Sequence, residues 1–322
     1  MGQRMVSQQP EARTWRTHGR NAGALVLLGA VVLGARSGAI PHIVFDERSP
    51  YARVLVIDEG RRRYLRFDSL DGDDQSMISL DDPRAVPMDY VRHMAAGLLH
   101  VDKPRSLLMV GLGGGTFTML LHRTMPGLQM DVVDIDPVVV KAAKAHFGVV
   151  EDARHRISLG DGRAFIEKDR VPRDLIVLDA YSGDGIPRHL TTVEFFKAVR
   201  TRLAAGGAVV ANVAAADPDE ELVLLASFTS VFPVTACYRA VQSANVILVG
   251  RRDGAMPTVV EQLGRALQLD GTLGLGFSLR DVVAHLDRDC LDHTTGIAPR
   301  HDPASRPATP ASAPSAAPAT AR

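Results

Sequence analysis

The stretch SLLMVGLGGGTFTMLLHRTMPGLQMDVVDID, residues 106–136, decides the fold of this chain. Its apolar start, Ser106–Val110, is typical of a buried strand, and four of the next five residues, 111–115, are glycine. The spacing of the apolar residues then predicts a helix over about Thr116–Arg123 and a second buried strand at Met130–Ile135. A strand, a helix and another strand in this order form a βαβ unit, in which the two strands run parallel.

The alternation of strand and helix continues to residue 213. Further strands are predicted at Ile157–Leu159, Leu175–Leu178 and Ala208–Val213, and helices at Val138–Phe147, Arg163–Lys168, Thr192–Leu203 and Glu220–Phe228. We interpret Gly206-Gly207 as the cap that closes the helix over Thr192–Leu203. Because strands alternate with helices, the pattern predicts a parallel sheet that is covered on both faces.

Two neighbouring strands end this pattern. Val234–Arg239 and Asn245–Val249 are separated by too few residues for a crossover helix, so they predict an antiparallel hairpin at one edge of the sheet. Parallel strands that end in such a hairpin are the architecture of S-adenosylmethionine-dependent transferases rather than of dehydrogenases. The predicted fold class is therefore α/β, with a Rossmann-like transferase sheet of parallel strands and a terminal antiparallel hairpin.

A small β-structure is predicted before this sheet. Tyr51–Ile57 alternates and is rich in β-branched residues, Asp58-Glu59-Gly60 has turn chemistry, and Tyr64–Phe67 resumes the strand pattern. These segments predict a β-hairpin. Gln75–Leu80 predicts a third short strand, and Met88–Leu99 predicts a helix that leads into the main sheet.

The charges divide the chain into unlike parts. The 322 residues contain 37 basic and 37 acidic side chains, yet residues 1–40 carry a net charge of +4 and residues 301–322 a net charge of +1, which leaves −5 on the remainder. We therefore predict four parts: a basic and apolar leader at 1–40, an N-terminal β-strand domain at 41–100, a Rossmann-like transferase domain at 101–300, and a disordered Pro/Ala-rich tail at 301–322.

Both ends of the chain have a distinct composition. Four arginines precede the uncharged thirteen-residue run Gly23–Ala35, and the small residues Ser37 and Ala39 follow, an arrangement typical of a secretory signal peptide. The run is shorter than the ~20 residues that a membrane-spanning helix needs. A misassigned start or a disordered leader are the alternatives. The tail, 301–322, has five prolines, eight alanines and no large apolar residue, so we expect it to be flexible.

Several function classes find no support in the sequence. The zero net charge gives no reason to expect a nucleic acid partner. Two cysteines, Cys237 and Cys290, are too few for a disulfide scaffold. The histidines have no HxH or HExxH spacing, so we expect no metal site. Gly-x-Ser-x-Gly is absent, which removes the nucleophile elbow of the α/β-hydrolases.

Glycines and acids recur where the predicted parallel strands end. Glycine has no Cβ, so the first turn lets a ligand approach the backbone closely. Asp134 follows Gly111 by 23 residues, the spacing at which an acid binds ribose hydroxyls. Each acid alone could be a helix cap or a turn residue, and Asp136 is expected to cap the helix that begins at Pro137. Together they predict one ligand site at the carboxyl edge of the sheet, formed by Gly111, Gly113, Asp134, Asp161, Gly162 and Asp179.

This combination resembles the polyamine aminopropyltransferases, the spermidine synthase family, from about Tyr51 to Val249. The resemblance includes the N-terminal hairpin piece, the signature LDGDDQ at Leu70–Gln75, the glycine loop, and the acids that end the strands. It implies decarboxylated S-adenosylmethionine, or S-adenosylmethionine itself, as co-substrate, a small polyamine as partner, and no metal. Members of the family often form dimers or tetramers, so the resemblance leaves a homo-oligomer open.

The resemblance also implies a role for each matching residue. Gln75 would contact the nucleoside, Asp134 the ribose, Asp161 the adenine, and Asp179 the attacking amine. The catalytic residue is Asp179, because a carboxylate at the end of a rigid strand can take the proton of the amine. Tyr181 and Asp184 are candidates for orienting the amine in line with the carbon and the sulfur. The alternative for Asp184 is a simple turn, and for Tyr181 a packing residue.

The sequence departs from the family in three places. The family loop resembles GGGDGG, whose aspartate helps to hold the aminopropyl ammonium group, and Gly114 stands at that position here. The family motif Tyr-His-Glu is replaced by something near Met88-Asp89-Tyr90, with an alignment that the sequence leaves open. The acceptor loop, DSSDPxGP in the family, is DAYSGDGIP at 179–187. The chain is a divergent member by this resemblance.

Three hypotheses follow from the sequence. The first is aminopropyl transfer from decarboxylated S-adenosylmethionine to a polyamine such as putrescine, with release of methylthioadenosine. The second is methyl transfer from intact S-adenosylmethionine, since loss of the acid at Gly114 leaves room for the donor's carboxylate. The third is a non-catalytic nucleoside-binding module. An exported protein would meet little S-adenosyl donor, so we expect a cytoplasmic location, with membrane association or export through the leader left open.

Overall fold

The computed structural model describes residues 40–182, 185–214 and 217–303. The predicted leader, apart from Ile40, the predicted tail beyond Pro303, and Asp184 lie outside the described residues. Within the described residues no helix is both long enough and apolar enough to cross a membrane.

A four-stranded antiparallel sheet forms the N-terminal part. Its strands, in spatial as well as chain order, are β1 (His42–Arg48), β2 (Arg53–Glu59), β3 (Arg62–Phe67) and β4 (Asp74–Ser79). The predicted hairpin is confirmed as the pair β2–β3, in which Val54 lies opposite Phe67. The predicted third strand is confirmed as β4, and β1 is an additional strand that the sequence reasoning missed.

The predicted single helix over Met88–Leu99 was wrong. Two short helices occupy this segment, α1 (Asp89–Met94) and α2 (Gly97–His100). The break precedes Gly97, whose backbone lies directly on the main sheet: a Cβ there would come within 2.5 Å of Val210 Cγ2. The chain changes direction so that α2 can pack this closely.

The main sheet has eight strands. They are β5 (Ser106–Val110), β6 (Gln129–Asp134), β7 (His155–Leu159), β8 (Arg173–Leu178), β9 (Leu203–Val213), β10 (Thr235–Ala240), β11 (Asn245–Arg251) and β12 (Leu286–Asp287). Their spatial order is β12-β10-β11-β9-β8-β5-β6-β7. The five strands from β9 to β7 are parallel, and β10 and β11 are antiparallel. The predicted parallel sheet with a terminal hairpin is thus confirmed, and the short β12 adds one further strand outside β10.

Helices cover both faces of this sheet. They are α3 (Thr116–Thr124), α4 (Pro137–His146), α5 (Gly162–Lys168), α6 (Val193–Arg202), α7 (Pro218–Val231), α8 (Val259–Leu273) and α9 (Leu279–Ala284). Neighbouring residues of β5 face opposite sides: Leu107 and Met109 join a core with α3, α8 and α9, whereas Leu108 and Val110 join a core with α6 and α7. This alternation is what a strand buried on both faces requires.

The predicted capping role of Gly206-Gly207 was wrong. The helix α6 ends at Arg202 with Leu203 as its cap, and both glycines lie within β9. A Cβ on Gly207 would lie 3.0 Å from the carbonyl oxygens of Arg173 and Asp174 on β8. Gly207 therefore allows the start of β9 to approach β8 closely, and a register shift in the β8–β9 pair lies at the same place. Gly206 makes no such contact, but its φ of +72° is one that glycine adopts readily.

A third apolar cluster joins the N-terminal sheet to the main one. Val54, Val56 and Leu65 pack there against Val138 and Val139 of α4. Through this contact, β4 lies beside the glycine turn, and the backbone N–H of Gly114 donates to Ser76 Oγ over 2.7 Å. The N-terminal sheet thus supplies one wall of the carboxyl edge, where the candidate site lies.

The two cysteines form one disulfide, which the sequence reasoning did not predict. Cys237 of β10 is bonded to Cys290, 53 residues further along the chain, just after β12. Both residues are buried. The disulfide ties the far edge of the sheet to the segment that follows it.

Candidate active site

The glycine turn after β5 passes directly against the end of β8. Gly111 has a φ of +93°, and a Cβ there would lie 2.2 Å from the carbonyl oxygen of Asp179. Gly113 has a φ of +54°, and a Cβ would lie 2.9 Å from Ser76 Oγ. Both positions therefore require glycine for two reasons. A positive φ favours glycine, and a Cβ would collide with the end of β8 at Gly111 and with β4 at Gly113.

Asp134, the predicted ribose ligand, holds this turn in place. One of its carboxylate oxygens accepts from the N–H of Leu112 at 2.8 Å and the other from the N–H of Asp136 at 2.9 Å. Burial raises the pKa of Asp134, and these hydrogen bonds oppose the rise. Each carboxylate oxygen has a second lone pair, so a ligand hydroxyl can still donate to it.

The role expected for Asp136 is confirmed. It caps α4 by accepting from the N–H of Val138 at 2.8 Å, and it also accepts from Ser49 Oγ at 2.5 Å. The second contact reaches the loop between β1 and β2, so Asp136 connects α4 with the N-terminal sheet.

Asp161, the predicted adenine ligand, caps α5. It accepts from the N–H of Ala164 at 2.8 Å and pairs with His189 Nε2 at 2.8 Å. Burial acts to raise the pKa of Asp161, but the Ala164 and His189 contacts outweigh it, so the pKa is lowered. Next to it, Gly162 packs on β5: a Cβ there would lie 2.3 Å from Val110 Cγ1. His189 is a neighbour that the sequence did not indicate.

Asp179 lies in a recess at the end of β8. Its backbone N–H donates to the carbonyl of Val110 at 2.8 Å, and its Oδ1 accepts from Asn212 Nδ2 at 2.7 Å. Asn212 is itself held by Asn245, whose Nδ2 donates to Asn212 Oδ1 at 2.8 Å. Burial raises the pKa of Asp179 to about 7, although the hydrogen bond from Asn212 opposes the rise. A carboxyl group with this pKa can gain or lose a proton near neutral pH.

Two tyrosines flank Asp179. Tyr181 OH donates to the carbonyl of Asn212 at 3.0 Å and accepts from the N–H of Ala214 at 2.7 Å. Tyr90 OH donates to the carbonyl of Gln75 at 3.1 Å. Burial, followed by the charge of Asp179, raises the pKa of both phenols, so they are neutral at ordinary pH.

The structure adds Tyr90 and Asn212 to the residues expected from the sequence. The segment around Tyr90 was noticed as the replacement of a family motif, but only the packing of α1 against β9, β10 and β11 brings it close to Asp179. Asn212 is the penultimate residue of the apolar strand β9, and a polar residue within such a run is the signal that was overlooked.

The structure also places Gln75 at this edge. It lies on β4 beside Gly113, and its side chain is partly exposed, with Nε2 3.5 Å from the carbonyl of Asp73. The described residues thus bring Gln75, Gly111, Gly113, Asp134, Asp179 and Tyr181 around one turn. Asp161 follows Gly160, whose N–H donates to the carbonyl of Asp134 at 2.9 Å.

The position of the missing family acid is filled by other side chains. A Cβ on Gly114 would lie 2.8 Å from Ser76 Cβ and 2.9 Å from Phe147 Cδ1. An aspartate there would therefore displace both neighbours. The glycine turn therefore lacks both the carboxylate of the family loop and the space for one.

An apolar cavity adjoins Asp179 on the side of α6 and α7. Its lining residues include Leu178, Ala180, Ile186, Phe195 and Leu224. Because water is scarce beside such a wall, it helps to account for the raised pKa of Asp179. Within the described part of the chain, no group of three or more His, Cys, Asp or Glu residues could hold a metal ion.

Two solved structures resemble this fold, and one of them was determined with an adenosyl ligand bound. Human methyltransferase-like protein 13, solved in complex with SAH, is 27% identical, with a TM-score of 0.54 over 57% of this chain and 92% of that chain. A probable spermidine synthase from Corynebacterium glutamicum aligns over 84% of this chain and all of its own, with a TM-score of 0.65 and 23% identity. The second likeness concerns the fold alone.

Sequence relatives give the family. The polyamine aminopropyltransferase of Vibrio vulnificus is 34% identical over 175 residues, which cover 53% of this chain but only 58% of that protein. The enzyme of the same name from Chromobacterium violaceum is 31% identical over 227 residues, 70% of this chain and 86% of that protein. The family model described as the spermine/spermidine synthase domain matches residues 39–240, more than half of the chain. This chain therefore belongs to the spermine/spermidine synthase family.

Proposed function

We propose that this protein is a transferase that moves an aminopropyl group from decarboxylated S-adenosylmethionine to a polyamine such as putrescine, releasing methylthioadenosine. The observation that carries the proposal is Asp179, a carboxyl group at the carboxyl edge of the sheet with its pKa raised to about 7. The sequence relatives named polyamine aminopropyltransferases support the same chemistry.

The reaction needs a base because the attacking amine is protonated at neutral pH. Asp179 takes one proton from the ammonium group, and the freed lone pair attacks the methylene carbon next to the sulfonium. The new C–N bond forms as the C–S bond breaks, and the electron pair of the broken bond stays on sulfur. The positive charge thus moves from sulfur to nitrogen, and the proton remains on Asp179 until solvent takes it.

The other residues bind and align the two substrates. Gln75, Asp134 and Asp161 are proposed to bind the nucleoside, with Gly111, Gly113 and Gly162 allowing its close approach to the backbone. Tyr181 and Asp184 are proposed to orient the amine, and we add Tyr90, whose pKa is raised by burial and then by the charge of Asp179. Asn212 is a positioning residue, because its amide fixes the direction of the Asp179 carboxylate.

The identity of the released nucleoside tests the proposal. The purified protein is incubated with each donor in turn and a panel of diamines, and the products are separated by mass spectrometry. Methylthioadenosine together with an aminopropylated amine supports aminopropyl transfer. If neither donor yields a nucleoside product with any acceptor, the proposal is wrong.

Methyl transfer from intact S-adenosylmethionine is the second candidate, and the absence of the family acid at Gly114 favours it. The expectation that Gly114 leaves room for the donor's carboxylate was wrong, because neighbouring side chains fill that space. Ser76 and Phe147 occupy the place of the acid that would hold the aminopropyl ammonium group. S-Adenosylhomocysteine as the released nucleoside would decide for this candidate. As a matched test, the double variant Ser76→Gly/Gly114→Asp introduces the acid, removes one of its two close neighbours and leaves the Phe147 ring to shift. It is expected to change donor preference about tenfold toward decarboxylated S-adenosylmethionine, the size of one charge-assisted contact.

A further inference from the structure

A second concave site lies at the other end of α3 from the glycine turn. The helix has nine residues and is therefore about 13 Å long. A cleft of about 590 Å³ opens at its C-terminal end, a size that suits a small organic ligand. Its lining residues are Asp82, Arg84, Ala85, Val86, Arg92, Arg123, Thr124, Leu273, Gly274, Leu275, Gly276 and Phe277.

Three arginines but only one acidic residue line this cleft. Arg123 donates from Nη2 to the carbonyl of Arg84 at 2.5 Å, which brings two guanidinium-bearing residues together. Burial, followed by the charge of Arg84, lowers the pKa of Arg123, and Asp82 offsets only part of this effect. The pKa of an arginine starts so high that the group stays charged, so the repulsion between the two cations persists.

The side chains of the described residues do not neutralise this charge. Neither Arg84 nor Arg123 forms an ion pair with any of them, and Asp82 uses its carboxylate to accept from the N–H of Arg84 at 3.0 Å. Arg92 lies 3.7 Å from Asp89 Oδ1, yet its buried Nε has no hydrogen-bond partner in the described part of the chain. Buried donors are normally satisfied, so an unmet guanidinium N–H in a cationic cleft points to a missing acceptor.

The remaining walls of the cleft are formed by apolar side chains or by backbone with little side-chain bulk. Val86, Leu273 and Phe277 are partly exposed and line it, and the glycine-containing segment 274–276 closes one side with little side-chain bulk. A ligand for this cleft must therefore combine an anionic end with an apolar or flat body. Guanidinium groups bind phosphate oxygens through paired N–H donors, and a phosphate monoester carries nearly two negative charges.

We propose that this cleft is a binding site for a small phosphorylated molecule with an apolar or flat body, separate from the Asp179 recess. The phosphate lies among Arg84, Arg92 and Arg123, and the body of the ligand contacts Val86 and Phe277. The body of the chain, with a net charge of −5, does not suit a long polyanion such as nucleic acid. The ligand is therefore a small molecule held by a local concentration of positive charge.

Calorimetric titration of the full chain with model ligands tests this site. The probes are phenyl phosphate, inorganic phosphate, benzoate and the uncharged benzyl alcohol. Phenyl phosphate is expected to bind most tightly, inorganic phosphate about tenfold more weakly for lack of the apolar contact, and benzyl alcohol not at all. Absence of saturable phenyl phosphate binding at millimolar concentrations, or tighter binding of benzoate, would overturn the proposal.

Variants locate the binding in the cleft. Arg84→Gln and Arg123→Gln are each expected to weaken phenyl phosphate binding at least about tenfold, the loss expected for a charge-assisted hydrogen bond. Arg170→Gln, which removes an exposed arginine outside the cleft, is the matched control and should leave Kd within about twofold. Ala85→Phe keeps all three arginines but puts a ring into the cleft, so it should weaken binding at least about tenfold. Asp179→Asn should bind normally, and an equal loss in Arg170→Gln or Asp179→Asn would contradict the assignment.

Discussion

Oppositely charged side chains lie near the two ends of α3, and they are suited to different chemistry. At its N-terminal end, Asp179 sits in a recess where burial raises its pKa to about 7. At its C-terminal end, burial and then the charge of Arg84 lower the pKa of Arg123, yet its guanidinium group stays charged because its pKa starts very high. Burial thus turns the carboxyl group into a proton acceptor near neutral pH, whereas it leaves the arginines as fixed charges. The recess suits proton transfer, and the cleft suits binding alone.

The largest effect is expected from removing the base in the recess. Asp179→Asn keeps the shape and the hydrogen bond from Asn212, but the amide cannot accept the amine proton. We expect kcat to fall by about 10²–10⁴-fold, the range for loss of a general base. Steady-state rates of product formation at pH 8 measure this. Asp289→Asn, at an exposed site after β12, is the matched control, and an unchanged kcat in Asp179→Asn would show that the recess does not supply the base.

The same variant should be more stable than the wild type at alkaline pH. The pKa of Asp179 is about 7 in the folded protein against an ordinary value of 3.8, so the folded state holds the proton more tightly. Its contribution to stability is full below about pH 4 and is lost as the pH rises through 7. Because the group is partly exposed, we expect Asp179→Asn to be about 2–4 kcal/mol more stable at pH 9 and to gain less than half of that at pH 5, where the carboxyl group is ionised mainly in the unfolded state. Urea unfolding at both pH values measures the difference, and equal gains at both would contradict it.

A smaller effect is expected from the residue that positions the base. The hydrogen bond from Asn212 lowers the pKa of Asp179, so its removal in Asn212→Ala should move the acid limb of the pH–rate profile upward by about one unit. Asn245→Ala, which removes only the support of Asn212, should move it less. A fall in kcat with no movement of the acid limb would mean that Asn212 acts through packing alone.

The smallest effect is expected where His189 meets Asp161. This contact is among the causes that lower the pKa of Asp161, and the pair is partly exposed. His189→Ala should therefore weaken adenosyl-ligand binding only about two- to fivefold, in line with a surface ion pair. Competition binding with methylthioadenosine measures this, and a loss above about tenfold would show that His189 itself contacts the ligand.

The sequence predicted the strands and helices whose apolar residues recur at regular spacing. It did not predict the role of residues that is set by their contacts with distant parts of the chain. The strands from 106 to 249 follow from apolar runs bounded by glycine and aspartate, and the antiparallel pairing of the last two follows from their short connection. The helix break before Gly97 and the strand position of Gly206-Gly207 did not follow, because Gly97 and Gly207 serve close contacts with distant strands rather than caps. The two helices α8 and α9, beyond the last predicted strand, were not predicted.

The sequence by itself determined the α/β sheet and the alignment of Gly111, Asp134, Asp161 and Asp179 at one edge, because parallel strands bring their carboxyl ends together. Only the tertiary structure decided the neighbours of those residues. Tyr90 and Asn212 reach Asp179 from segments 89 residues before it and 33 residues after it, and the arginine cleft collects side chains from three separate segments. The hydrogen-bond partners and the pKa of a side chain depend on its distances to residues that are far away along the chain. The pattern of residues in the sequence shows the period of each strand and helix, but it does not contain those distances.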